Sequence, residues 1–169
     1  MINKKMEDAL NAQLNAELYS SYLYLSMSAA LARMGLPGFA QWMRIQAQEE
    51  LTHSMKFYDH LIERGAEVVW PAIKAPPTKW TDVLEICKKT LNHEQLVSSL
   101  INKLVDLAIT EKDHASNMFL QWFVTEQVEE EANVVEIIQK LELTEEAKGA
   151  LFILDKEMGT RVFVPPTTL

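Results

Sequence analysis

Apolar and polar positions follow the helical period almost from the start of the chain. Between about residues 5 and 34, Leu10, Leu14, Glu17, Ser21, Tyr24, Ser28 and Leu31 recur at three- and four-residue steps, which is one face of an α-helix. Gly35-Leu36-Pro37-Gly38 then breaks the pattern. A second helix is predicted over about 38–65, with Phe39, Met43, Gln46, Glu50, His53 and Phe57 on one face. Residues 66–81 contain Pro71, Pro76 and Pro77 and carry no helical period, so they read as a long connection. Asp82, with Glu85 three positions on, forms a capping box that opens a third helix over about 82–110. Its face carries Leu84, Cys87, Leu91, Glu94, Ser98, Ile101 and Val105. A turn near Glu111–Asp113 leads to a fourth helix over about 113–141, presenting Leu120, Phe123, Gln127, Glu130, Val134, Ile137 and Leu141. Thr144, followed by Glu145 and Glu146, is expected to cap a fifth and shorter helix over about 144–158. An extended tail with Pro165-Pro166 follows.

Helices of roughly 28 residues are each about 42 Å long. The links inside the first and second pairs are short, so each pair is an antiparallel hairpin. The connection over 66–81 can span about 50 Å when extended, the full length of such a helix. It can return the chain to the end where the second helix began. The expected fold is all-α: one domain over 1–169, a four-helix bundle with a single long crossover and a short C-terminal helix.

Composition narrows the partners. The 169 residues suffice for one domain with a full core, and 48% apolar with 24% charged residues is ordinary for a globular protein. No apolar run approaches the roughly 18 residues of a membrane span, and Met1-Ile2-Asn3-Lys4-Lys5 lacks the apolar core of a secretory signal. The single cysteine, Cys87, cannot form an internal disulfide, which fits a reducing cytoplasm and a place in the core. A formal charge of −8 argues against a nucleic-acid footprint and suits cationic partners.

The chemistry lies where polar residues interrupt the apolar faces. Glu17, Glu50, His53, Glu94, Gln127 and Glu130 each fall near the middle of a predicted helix. Helix midpoints coincide in a bundle whichever way the helices run, so these residues belong to one central layer. Any one of them alone fits a partly solvated glutamate or a hydrogen-bonded core histidine. Four carboxylates and an imidazole together need a compensating cation, because an unpaired buried carboxylate stays protonated instead. Glu50-x-x-His53 places two ligands on adjacent positions of one face. A Glu from each of two helices with Glu-x-x-His from the other two is the recurring di-metal carboxylate pattern. Here Glu17 and Glu94, Glu50 and Gln127, and His53 and Glu130 are each 77 positions apart, so the two hairpins repeat. Mixed oxygen and nitrogen ligation suits Fe(II) or Mn(II) better than a closed zinc site. The second half carries Gln127-x-x-Glu130 in place of Glu-x-x-His, so the second metal should be held more loosely and iron should pass through.

Beside this layer, Glu126, Glu129, Glu130 and Glu131 crowd one stretch of the fourth helix, and Glu49 precedes Glu50. These fit either a solvated acidic face or a further metal position on the exit path. Tyr24 shares the face of Glu17, where it either packs in the core, hydrogen-bonds a ligand or donates an electron. His60, His93 and His114 have no comparable partners and receive no role.

At these residues the chain resembles the non-haem ferritins of bacteria and archaea over essentially its full length. The resemblance is carried by Asn15-Ala16-Glu17-Leu18-Tyr19, by Gln48-Glu49-Glu50-Leu51-Thr52-His53, and by Phe119-Leu120-Gln121-Trp122-Phe123 leading into Glu126-Gln127-Val128-Glu129-Glu130. It implies a ferritin-like four-helix bundle and a ferroxidase, which oxidises Fe(II) with O2 or peroxide. It also implies two irons per subunit, the first bound by Glu17, Glu50 and His53. Glu50 would bridge to the second, held by Glu94 and Glu130, with Gln127 near the bound oxygen species. Glu49, Glu126 and Glu129, with Glu130, match a third iron site, and Tyr24 matches the tyrosine beside the centre. The family assembles hollow cages, usually of 24 subunits, that store ferric mineral. Bacterioferritins carry a haem-ligating Met after the Glu of the first motif; Leu51 stands there, so no haem is expected. The apolar stripe of the fifth helix, with Leu151, Phe152 and Leu154, is expected at a subunit contact.

Two other functions fit part of the pattern. A di-iron oxidase acting on an organic substrate would need an apolar channel and a firmly held metal pair. A helical binding protein would use the polar layer only to set register.

Overall fold

The computed structural model describes residues 2–144 and 149–165. Helix α1 runs over Lys4–Arg33 and is opened by Asn3, whose side chain accepts a hydrogen bond from the Met6 amide. It ends where Gly35 turns left-handed at φ 80, and the Leu36 amide closes back on the Leu31 carbonyl at 3.0 Å. Helix α2, Pro37–Glu63, starts on a proline, whose missing N–H costs nothing in the first turn. It ends the same way at Gly65, φ 68, with Ala66 bonded to the Leu61 carbonyl at 2.9 Å. A residue with a Cβ adopts this backbone only at a cost, so two glycines set the length of the first hairpin.

Helix α3, Val83–Thr110, has Asp82 as its N-cap, accepting from the Glu85 amide at 2.8 Å. The reciprocal half of the capping box goes one residue upstream, from the Thr81 amide to Glu85 at 2.7 Å. Helix α4 covers His114–Thr144 and α5 covers Ala150–Met158. This corrects the expected start of the fifth helix: Thr144 is the last residue of α4, and Gly149 is the N-cap of α5. The Thr144 hydroxyl donates to the Leu141 carbonyl at 2.6 Å, so it is spent inside α4 and does not cap the next helix. Glu145 and Glu146, expected to aid that cap, and Pro166 of the tail lie outside the described residues.

The apolar core forms two separate clusters. One contains Met6, Leu10 and Leu14 of α1, Phe57 and Leu61 of α2, Val97, Ile101 and Leu104 of α3, and Leu120 and Phe123 of α4. The other contains Tyr24, Met27 and Leu31 of α1, Phe39 and Met43 of α2, Ile86 and Cys87 of α3, and Val134 and Ile138 of α4. The order of these residues fixes the helix directions. Helices α1 and α4 run from the first cluster to the second, and α2 and α3 run from the second to the first. Each hairpin is therefore antiparallel, while α2 and α3 are parallel, so the connection between them must travel the length of the bundle. Asn11 holds its beginning, donating to the Glu67 carbonyl at 2.9 Å and accepting from the Val69 amide at 2.7 Å. The chain is a four-helix bundle with one long crossover and a short fifth helix. No helix among the described residues is long and apolar enough to cross a membrane.

Helix α5 packs across α2 and α4, with Leu154 and Met158 in the second cluster. The Asp155 carboxylate accepts from the Phe39 amide at 2.9 Å and so caps α2, which has no cap of its own. Phe152 faces outwards. Cys87 is buried, its thiol pushed up to about 12 by burial, consistent with a packing residue.

Candidate metal centre

Glu17, Glu50, His53, Glu94, Gln127 and Glu130 lie between the two apolar clusters, each at most 4% exposed. The structure gathers Glu17, Glu50 and His53 most tightly: one ligand atom from each lies within 4.8 Å of the others. His53 Nδ1 is 3.2 Å from Glu50 Oε2, as expected for neighbours three apart on a helix. Gln13 donates to Glu17 Oε1 at 2.8 Å, while Glu17 Oε2 is buried with no hydrogen-bond partner. An orphaned buried carboxylate oxygen beside a second carboxylate and an imidazole is a setting that a divalent cation satisfies.

Glu94 and Glu130 complete the layer through partners of their own. Tyr24 donates its hydroxyl to Glu94 Oε1. Gln127 donates to Glu94 Oε2 and to the Glu94 carbonyl, both at 3.2 Å. Gln46 donates to Glu130 Oε2 at 2.7 Å. Glu49 and Glu126 are half-buried at the rim, with Glu126 Oε1 3.8 Å from His53 Nε2, and Glu129 is exposed.

Burial dominates the electrostatics. It pushes Glu17 up to about 7, against the opposing pull of Gln13, and Glu94 up to about 8, helped by the Glu130 charge. Glu50 is held well above the carboxylate range by burial and by its Glu94 and Glu17 neighbours, and Glu130 is raised as well. Burial, with the Lys56 charge, lowers His53 to about 4, so its imidazole is neutral and free to ligate at neutral pH.

These shifts define a pH profile for the metal-free protein. Carboxyls raised above 4.5 favour the fold below that value and lose the contribution as pH rises through about 7 to 8. Histidines lowered from 6.5 to about 4 act oppositely, and His53, His60 and His93 destabilise the fold as pH falls below 6.5. The two sets oppose each other only below 6.5, so from there to about 8 the carboxyls act alone. Metal-free protein is expected to melt at falling temperature across that window. Added Zn(II), which replaces the protons, should flatten the slope. A melting temperature that rises over the same window rules out the protonated layer.

Several residues that shape the layer received no role from sequence. Gln46 was legible as a core-facing position, and Gln13 lies one turn before Glu17; neither type advertises which carboxylate it will orient. His93 is half-buried between Tyr19 and Tyr24, 2.8 Å from the Ser20 hydroxyl, with its ring edge-on to Tyr24. Arg161 reaches Glu49 from beyond α5, a contact of 112 residues' separation that no local pattern reveals.

The model of the ferritin-like domain family matches residues 7–144. This chain belongs to the ferritin family. A bacterial non-heme ferritin from Bacteroides fragilis is 43% identical over 161 residues, covering 95% of this chain and all of that protein. A probable bacterial non-heme ferritin-like protein from Haemophilus influenzae is 41% identical, covering 94% and 96%. Among solved structures, an open-pore ferritin from the hyperthermophilic archaeon Archaeoglobus fulgidus superposes with a TM-score of 0.94 at 49% identity, over 96% of this chain and all of that one. An engineered closed form of the Archaeoglobus fulgidus ferritin gives 0.95 at 48% identity, over 97% and 100%. The family is one of iron-storage proteins.

Proposed function

We propose that this ferritin is a ferroxidase that oxidises Fe(II) with O2 or peroxide inside each subunit and stores the ferric product in a cage of its own copies. The observation that carries the reading is the buried Glu17–Glu50–His53 set, with ligand atoms within 4.8 Å of one another and an unpartnered carboxylate oxygen among them. Fe(II) is the substrate. The first ion takes Glu17, Glu50 and His53; the second takes Glu94 and Glu130 and shares Glu50.

The protein's contribution is charge and position. The carboxyls release protons as the cations arrive, and their charge then favours Fe(III) over Fe(II). Tyr24 and Gln127 hold Glu94 from two sides, and Gln46 holds Glu130, so the second position is preset before metal binds. Gln127 supplies an amide where a carboxylate or imidazole would bind more firmly, which suits release of product towards Glu49, Glu126 and Glu129. Electrons leave two Fe(II) together and pass to the oxidant, and the ferric ions hydrolyse to mineral. The whole chain acts as one domain in a cytoplasmic assembly of about 24 copies, without haem.

Aerobic titration of metal-free protein with excess Fe(II), followed by gel filtration with iron and protein assayed together, tests this. Iron far above the capacity of a two-metal site, co-eluting with a very large particle, is expected. Uptake that stops near about two irons per chain in a small oligomer overturns storage and points to a conventional di-iron cofactor.

A further inference from the structure

Arg161 enters the rim of the metal layer from the segment after α5. One guanidinium nitrogen donates to Glu49 Oε2 at 2.7 Å and the other donates to Gln46 Oε1. The group lies over the Trp42 ring, 5.0 Å from its centroid. Gln46 is fully buried, and its other end donates to Glu130 Oε2. Only one orientation of that amide satisfies both neighbours, oxygen to the arginine and nitrogen to the carboxylate. One cation therefore grips Glu49 directly and Glu130 through a single amide. These are two of the carboxylates read above as the outer metal position. A groove of about 270 Å³, lined in part by Trp42, Ile137 and Thr160, opens beside the guanidinium and gives it room to withdraw.

We propose that Arg161 is a positioning residue that serves as an internal counter-cation for the outer carboxylates and must be displaced before a metal ion binds among Glu49, Glu126 and Glu130. The inference rests on the metal-centre reading above. A fixed positive charge in the outer position weakens a metal there and leaves the Glu17–Glu50–His53 position untouched, since Arg161 contacts none of those three; Glu130, the ligand shared with the second inner ion, feels it through Gln46. The outer position then passes iron on and does not retain it, and Gln46 couples its occupancy to the geometry of Glu130.

Zn(II), which takes no part in electron transfer, is the probe, titrated calorimetrically into metal-free assembled protein. Arg161→Gln is expected to tighten the outer Zn(II) about tenfold, the worth of one charge-assisted contact, with the affinity of the Glu17–Glu50–His53 position unchanged. Arg161→Lys, which keeps the charge and loses the fork, should stay near wild type. A merely structural arginine predicts the opposite, a weaker outer ion in Arg161→Gln; that result, or no change, overturns the proposal. Absence of inner binding in the wild type would instead refute the metal-centre reading. Should Arg161→Gln fail to assemble, wild-type fluorescence decides. Outer Zn(II) should lift the guanidinium off Trp42 and alter a signal that Trp42→Phe lacks. A wild-type signal indifferent to outer Zn(II) rejects displacement.

Discussion

Glu50→Ala is expected to slow aerobic Fe(II) oxidation by more than about 100-fold, close to the rate in buffer, without lowering the stability of the metal-free protein above about pH 8. Outer-shell substitutions at metal sites typically cost about 10- to 100-fold, and Glu50 is the one carboxylate proposed to touch both irons. Stability moves differently because the side chain is a liability when ionised. Glu50 is 1% exposed, and its neighbours Glu94 and Glu17 both resist its charge. Alanine removes that repulsion and leaves a small void, which costs about 1 to 2 kcal/mol by the usual cavity relation. The two effects oppose each other, whereas Leu120→Ala in the adjacent apolar cluster has only the void to count. Glu50→Gln, equal in size and uncharged, should separate them: inactive as Glu50→Ala is, but more stable than wild type at alkaline pH. Stopped-flow oxidation and thermal melts on the same samples provide both readouts. Wild-type oxidation by Glu50→Gln would remove the bridging carboxylate from the mechanism.

The sequence disclosed the layer because burial of charge contradicts the helical pattern around it. Glu17, Glu50, His53, Glu94, Gln127 and Glu130 stand at core positions, and the structure buries all six. Directions of the helices were legible for a related reason: loop lengths constrain topology, and the proline-bearing stretch 66–81 was too long for a tight hairpin. The end of α4 was not legible. Thr144 has the preference of a cap, yet its hydroxyl donates back to the Leu141 carbonyl within α4, a local bond a threonine can make inside a helix, and the cap of α5 falls to Gly149. Contacts between distant segments were invisible for a different reason. Gln46, Arg161 and Asp155 act on partners 84, 115 and 116 positions away, in pairs such as Gln46–Glu130, Arg161–Gln46 and Asp155–Phe39. A glutamine on a core face or an arginine in a tail carries no local mark of its partner.

Gly38→Ala is expected to be the most damaging single-methyl addition in the chain, costing more than about 3 kcal/mol. A Cβ at Gly38 would stand 1.6 Å from the Asp155 carbonyl oxygen and 2.5 Å from its carbon. Both are backbone atoms, so no side chain can swing aside and the whole of α5 must retreat from α2. Retreat breaks the bond from the Phe39 amide to Asp155, the only side-chain cap that α2 has among the described residues, worth about 1 kcal/mol. It also withdraws Leu154 and Met158 from the second apolar cluster. The polar layer does not depend on α5 for its ligands, which come from α1 to α4. Gly38→Ala should therefore keep the inner Zn(II) position while melting earlier. Asp155→Ala, which leaves the close approach intact and removes only the cap, should lose about 1 kcal/mol. If Gly38→Ala melts within about 0.5 kcal/mol of wild type, as a bland surface change would, the docking of α5 on α2 is looser than the close approach of Gly38 to Asp155 requires.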